Sequence, residues 1–180
     1  MHYFDLLSDM LEINSDTPCI IAIDGVAGSG KTTLALNLLK DLPSVEVVHM
    51  DDLYDGWEDP LSQKLKDRVL TQILEPFSSN LPVEYQCFNW HLNRFDSQKI
   101  VDRCDFLILE GVGAGQNSFR SYMKKIIWME IDPLVGLERV ITRDGEQVRD
   151  KMAKFLIDQN THFLMESTRN KADYTLTGAP

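Results

Sequence analysis

Residues 19–36, CIIAIDGVAGSGKTTLAL, constrain the chain more than any other stretch. They open on Cys19-Ile20-Ile21-Ala22-Ile23, a short apolar run rich in β-branched residues. That is the pattern of a strand buried on both faces. Gly25-Val26-Ala27-Gly28-Ser29-Gly30-Lys31-Thr32 follows, a complete G-x-x-x-x-G-K-T, and Leu34, Leu38 and Leu39 then recur at helical spacing. Strand, glycine loop and helix stand in the order that phosphate binding requires. The glycines let the backbone curl until successive N–H groups face one point. The helix start adds its unpaired N–H groups and the positive end of its dipole. The residues assigned to nucleotide phosphate are Gly25, Ala27, Gly28, Ser29, Gly30, Lys31, Thr32 and Thr33. Lys31 supplies a mobile positive charge for the β- and γ-phosphates, and the Thr32 hydroxyl is a ligand for Mg²⁺. The expected cofactors are ATP and Mg²⁺.

The chain has 180 residues, enough for one domain with a proper core. Its formal net charge is −10 and no basic run occurs, which argues against a nucleic-acid partner. It does not argue against ATP, which local dipoles, one lysine and Mg²⁺ can hold. No apolar run approaches the length of a membrane span, and the first residues lack the basic and apolar regions of a signal peptide. Cys19, Cys87 and Cys104 have no metal-site spacing, and a reducing cytoplasm is the simplest setting.

Further acids sit where such a loop needs them. Val45 to Met50 reads as a second strand and ends in Asp51-Asp52. Ligands of doubly wound sheets bind off the carboxyl ends of the strands, so Asp51 is expected on the edge that carries the glycine loop. The alternative is a solvated turn. Asp105 to Glu110 is another buried-strand run closed by an acid, and Glu110 is assigned to the Mg²⁺ shell with Thr32. Tyr54 and Trp57 either wall a pocket for a planar ring or pack on the core. Residues 85–91, YQCFNWH, alternate loosely as a strand or hairpin arm, and are either an edge strand with packed aromatics or a second wall through Tyr85 and Trp90. His91 is either a substrate contact or structural. Arg139 and Arg143 lie four apart on one helical face. They either close over the phosphates or belong to a salt-bridged surface helix.

The remaining pattern is alternating. Strands are expected near 19–24, 45–50, 105–110, 126–131 and 172–176, with helices between them. Phe4, Leu7 and Leu11 mark an outer helix, residues 14–18 a turn, and 61–75 a helix that Pro76 ends. The fold expected is α/β: a single-domain P-loop NTPase fold with a five-stranded parallel sheet, helices on both faces and a short lid. One domain covers 1–180, with a peripheral N-terminal helix in 1–17, an acceptor-side insertion over 77–100 and a lid over 139–150.

GVAGSGKTT, Asp51-Asp52-Leu53-Tyr54, LILEGV at 107–112, RVITRD at 139–144 and Ala172-Asp173-Tyr174 together resemble the P-loop nucleoside kinases, specifically the uridine kinase-like group. The resemblance runs from about Ile20 to Thr177. It implies an ATP-dependent transfer of phosphate to a hydroxyl of a small molecule, with a nucleoside as the favoured acceptor. It implies that Asp51 receives or orients the acceptor hydroxyl, that Tyr54 touches the nucleoside, and that Arg143 and Arg139 are lid arginines. Tyr85, Trp90 and His91 fall in the segment that matches the acceptor signature, in two registers. The rival functions are an NTPase or nucleotide-sensing module with no small acceptor, and a kinase of a sugar or vitamin precursor. Oligomeric state is left open by the pattern.

Overall fold

The computed structural model describes residues 2–13 and 19–177, so the turn expected at 14–18 lies outside the described residues. Five parallel strands form the sheet: β1 (Cys19–Gly25), β2 (Val45–His49), β5 (Phe106–Glu110), β6 (Met123–Glu130) and β7 (Tyr174–Thr177), in the order β2-β5-β1-β6-β7. Both neighbours of β1 pair with it in parallel. The central strand thus has no solvent face, and all seven of its residues are buried. This meets the five-stranded α/β expectation, with strand ends within a few residues of those read from the apolar runs.

Alternation along the strands sorts the core into two layers. Ile21, Ile23, Ile108 and Ile127 face α1 (Tyr3–Leu11) and α2 (Lys31–Asp41), packing with Leu34, Leu38, Leu6 and Met10. Ile20, Ala22, Leu107 and Leu109 face the other way, toward Leu65, Val69 and Ile73 of α3 (Gln63–Val69) and its continuation. A third cluster, Ala27, Val112, Val140, Met152 and Phe155, seats α5 (Pro133–Asp144) and α6 (Arg149–Glu166) on the loops at the strands' carboxyl ends. No described helix is long and apolar enough to cross a membrane.

Two local readings are corrected, those of the N-terminal helix and of the helix before Pro76, and the third segment, 85–91, is a hairpin arm as its loose alternation allows. The N-terminal helix buries Leu6 and Met10, whereas Phe4 and Leu11 are exposed, because the packing face lies between the residues that the spacing picked out. The helix that Pro76 was expected to end continues to Ser78. It widens to π geometry over Leu70–Leu74 and resumes as α4 (Glu75–Ser78) with Pro76 in its first turn, where a missing N–H costs least. Residues 85–91 belong to a separate two-stranded hairpin, β3 (Val83–Asn89) with β4 (Arg94–Val101), antiparallel and outside the main sheet.

Asp24, an acid inside the apolar run of β1, is wholly buried. Its carboxylate accepts N–H bonds from Gly25 at 2.7 Å, Gly113 at 3.0 Å and Gly115 at 2.9 Å. Burial pushes its carboxyl above the ordinary range against the pull of those three donors. Replacing Asp24 with Ala strands three buried N–H groups, and each unsatisfied group costs about 1–3 kcal/mol. Asp24→Ala is therefore expected to lose at least about 3 kcal/mol of stability, read from the urea midpoint at unchanged m.

Candidate active site

The glycine loop is shaped by tertiary contact as well as by its own sequence. Gly28 has φ of 77°, and a Cβ there would stand 2.2 Å from the carbonyl oxygen of Gly136 in α5. A Cβ on Gly25 would stand 2.3 Å from Met129 O of β6. Only glycine lets the loop lie this close to both elements. From behind, Gln159 of α6 accepts the Ala27 N–H at 3.1 Å. Ser29 Oγ is buried within the loop and has no partner among the described residues.

Lys31 opens α2 and is buried, with Nζ donating to the carbonyls of Gly25 at 3.0 Å and Val26 at 2.9 Å. Burial lowers its affinity for the proton, while Glu110, Asp24 and Asp51 hold the charge in place. One residue further on, Thr32 Oγ1 donates to Glu110 Oε1 at 3.1 Å. Glu110 closes β5 and is buried; His49, closing β2, also reaches Oε1, with Nδ1 at 2.5 Å. The hydrogen bond to Glu110 holds the His49 imidazole above its ordinary proton affinity.

Asp51 lies in a single 3₁₀ turn (Met50–Asp52) directly after β2, on the edge that carries the glycine loop. It is open to solvent but crowded by protein. That crowding, with the Glu110 charge, raises its carboxyl above the ordinary 3.8, although Lys31 and Arg143 pull the other way. Arg143, in the last turn of α5, is paired with Asp144 at 2.6 Å and carries its charge into the field of both Asp51 and Glu110. Arg139, one turn earlier, points Nη1 at the Gly28 carbonyl, 3.4 Å away. An open groove of about 530 Å³ runs along this helix beside Arg139, lined also by Leu134, Val135, Glu138 and Thr142.

Aromatic residues flank Asp51. Trp90, at the hairpin tip, donates Nε1–H to the Asp51 carbonyl at 3.0 Å and packs on Trp57, Phe88 and Tyr54. Tyr54 is buried and spends its hydroxyl on Val112 O at 2.7 Å, with its ring also against Phe155. Lys31, Thr32, Glu110, Asp51, Arg143, Tyr54 and Trp90 thus come together. Two residues do not join them. Tyr85 is buried on the inner face of β3, turned toward Asp52 on the β2 side. His91 is exposed at the hairpin tip, with its backbone N–H held by Asn89 Oδ1. Asp24, His49 and Gln159 are the site residues that sequence pattern did not single out. The first had a visible mark, an acid inside an apolar run next to the glycine loop. Gln159 stands more than a hundred residues from the loop it touches.

A strand–glycine loop–helix on the central strand of a parallel sheet, with an acid on each of the next two strands along, defines a P-loop small-molecule kinase. Comparison with known proteins gives the family. The chain is 31% identical to the uridine kinase of Macrococcus caseolyticus over 157 residues, 78% of this chain and 75% of that one. It is 26% identical to the uridine kinase of Streptococcus agalactiae over 183 residues, 88% and 86% of the two chains. The chain belongs to the uridine kinase family, as an ATP-dependent small-molecule kinase. Two solved structures share its fold. One is described as a possible uridine kinase from Bacillus stearothermophilus, with a TM-score of 0.73, 18% identity and 97% and 96% coverage. The other is a candidate fructose transport system kinase from Silicibacter sp., with a TM-score of 0.69, 20% identity and 98% and 99% coverage. A family model for the viral superfamily 1 RNA helicase core domain matches residues 21–84, less than half of the chain and the part that holds the glycine loop.

Trp90→Phe keeps a ring against Trp57 and Phe88 but removes the N–H that fixes the Asp51 backbone. Kinase turnover is expected to fall roughly tenfold, since a small misplacement of a reacting group is costly. The thermal unfolding midpoint should move little, since one partly exposed hydrogen bond is worth about 1 kcal/mol.

Proposed function

We propose that the protein moves the γ-phosphate of Mg·ATP to a hydroxyl of a nucleoside, with uridine or cytidine as the favoured acceptor. The observation that carries this reading is the meeting of Lys31, Thr32–Glu110, Asp51 and Arg143 at one edge of the sheet. The names of the relatives support the choice of acceptor. In this reading residues 25–33 hold the phosphates, and the base of the donor lies along the groove beside Arg139. The 83–101 hairpin forms the acceptor side, and 139–150 the lid. Helix α1 packs under the sheet and takes no part in the site. We place the activity in the cytoplasm, where a donor of this class is available.

The donors present suit Mg²⁺. Thr32 and Glu110 offer hard oxygen atoms that already meet at 3.1 Å. Among the described residues no three His, Cys, Asp or Glu side chains gather as a metal-holding group. Such a sparse set fits an ion that keeps waters and phosphate oxygens as its other ligands. When bound beside Thr32 and Glu110, Mg²⁺ would neutralise charge on the donor phosphates.

The chain's own groups do the rest. The loop amides and Lys31 fix the donor phosphates, and Lys31 is freed from two carbonyls when it turns to them. Asp51 accepts a hydrogen bond from the acceptor hydroxyl and aims its oxygen at the γ-phosphorus. In a loose transition state that hydroxyl keeps its proton until late, so orientation is most of the task. As the new O–P bond completes, the bond from the γ-phosphorus to the bridging oxygen breaks, ADP leaves with that oxygen, and the hydroxyl proton passes to Asp51. Arg143 balances charge on the transferring group. The partly exposed rings of Trp90 and Trp57, backed by the buried Tyr54, offer faces and edges to a planar base.

Transfer from [γ-³²P]ATP to a panel of nucleosides, sugars and vitamin precursors tests the proposal. A labelled nucleoside is expected, with kcat for Asp51→Asn reduced by about 10² or more. Free phosphate alone, unchanged by every acceptor and by the variant, would establish an NTPase instead. Because the Asp51 carboxyl is raised, it stays protonated to a higher pH than usual. Activity should rise with pH through a midpoint above 3.8. The residual activity of Asp51→Asn should lack that limb.

A further inference from the structure

His49 is the last residue of β2 and stands in register with Glu110, the last residue of β5. Partners in neighbouring parallel strands send their side chains to the same face of the sheet. Here both emerge at the strands' carboxyl edge. His49 Nδ1 lies 2.5 Å from Glu110 Oε1, and Thr32 Oγ1 reaches the same oxygen at 3.1 Å. An ionised carboxylate only accepts, so Nδ1 carries the proton and the imidazole donates. The glutamate is therefore gripped from two elements at once, from β2 by His49 and from α2 by Thr32.

Glutamate has one more rotatable bond than aspartate, and at a strand end that freedom must be removed if the carboxylate is to face one ligand. Thr32 alone is a weak anchor, because its hydroxyl is itself claimed by the ion. The His49 ring is rigid, is set on a strand and is about one-third exposed, so it is neither core filling nor a loose surface group. We infer that His49 is a positioning residue for Glu110: it holds the carboxylate in the orientation that meets the Mg²⁺ carried in with the nucleotide. The inference rests on the Mg·ATP reading given above.

The test uses the full chain and a non-hydrolysable ATP analogue, with binding followed by calorimetry as Mg²⁺ is varied, alongside steady-state kinetics and thermal midpoints. In the wild-type protein the analogue should bind more tightly as Mg²⁺ rises. In His49→Ala the Mg²⁺ concentration for half of that effect should rise roughly tenfold and kcat should fall by a similar factor, the usual cost of losing the group that orients a metal ligand. Affinity for the analogue without Mg²⁺ and KM for the acceptor should stay within about twofold. In His49→Asn the side-chain amide takes the place of Nδ1–H, and most of the Mg²⁺ response should return. A His49→Ala protein with a wild-type Mg²⁺ response overturns the inference alone. So does a loss that is equal with and without Mg²⁺, or one that Asn does not repair. A wild-type protein whose analogue affinity ignores Mg²⁺ overturns the metal reading itself, and this inference with it.

Discussion

The buried carboxylate of Asp24 is the interaction on which the working edge of the sheet depends. A charge-bearing group with no solvent contact is tolerated only where several donors converge on it. Here the donors are backbone N–H groups of two separate glycine-containing segments, the phosphate loop at Gly25 and the 111–115 turn at Gly113 and Gly115. Satisfying one acid therefore fixes two loops relative to each other. The same 111–115 turn begins directly after Glu110, and its Val112 carbonyl takes the Tyr54 hydroxyl. A single buried group thus sets the spacing between the glycine loop, the acid that closes β5 and the Tyr54 side chain. The close approaches of Gly25 to Met129 and of Gly28 to Gly136 complete the clamp from β6 and α5.

Charge in this protein is organised locally. The chain as a whole is strongly acidic, with a net charge of −10. At the strand ends, however, Lys31, Arg139 and Arg143 gather around the loop that takes a polyanion. Distant acids are screened within about 10 Å at ordinary salt, so the near field decides the binding. Within that field the acids and bases hold each other in check. Burial works against the Lys31 charge and the acids restore it, while Glu110 pushes Asp51 up and Lys31 and Arg143 pull it down.

The hairpin beside Asp51 is built differently. The hairpin is not part of the main sheet and is held to it by contacts from the turn after β2. Trp90 binds the Asp51 carbonyl, and Lys99 on β4 pairs with Asp52 at 2.7 Å. The residues next to the proposed acceptor contact thus also anchor the element that covers it. This explains why the aromatics of this region resisted a choice between wall and core. Tyr54 is both: its ring packs on Trp90 and Phe155, and its hydroxyl is already used. Tyr85 went to the core side because alternation along β3 gives every second residue to the interior.

Much of the fold and part of the site were legible because they rest on short-range rules. The apolar runs of the five strands and the G-x-x-x-x-G-K-T loop each carry their physics within a few residues, and each appears where the pattern put it. The place of Asp51 and Glu110 was legible for a further reason: an acid at the carboxyl end of a strand in a parallel sheet lies on the same edge as a loop that follows a neighbouring strand. What the chain order could not show was set by packing between distant segments. Whether Leu6 or Phe4 faces inward depends on the angle at which α1 meets the sheet. That His49 faces Glu110 depends on β2 lying beside β5 rather than beside β1. That Gln159 touches Ala27 depends on α6 folding back across the strand ends. The sequence by itself determined the elements and the shape and charge of the glycine loop, because backbone curvature, hydrophobic period and residue charge are local properties. Only the tertiary structure decided which side chains share a carboxylate, since hydrogen bonds form between whichever groups the sheet order brings within about 3 Å.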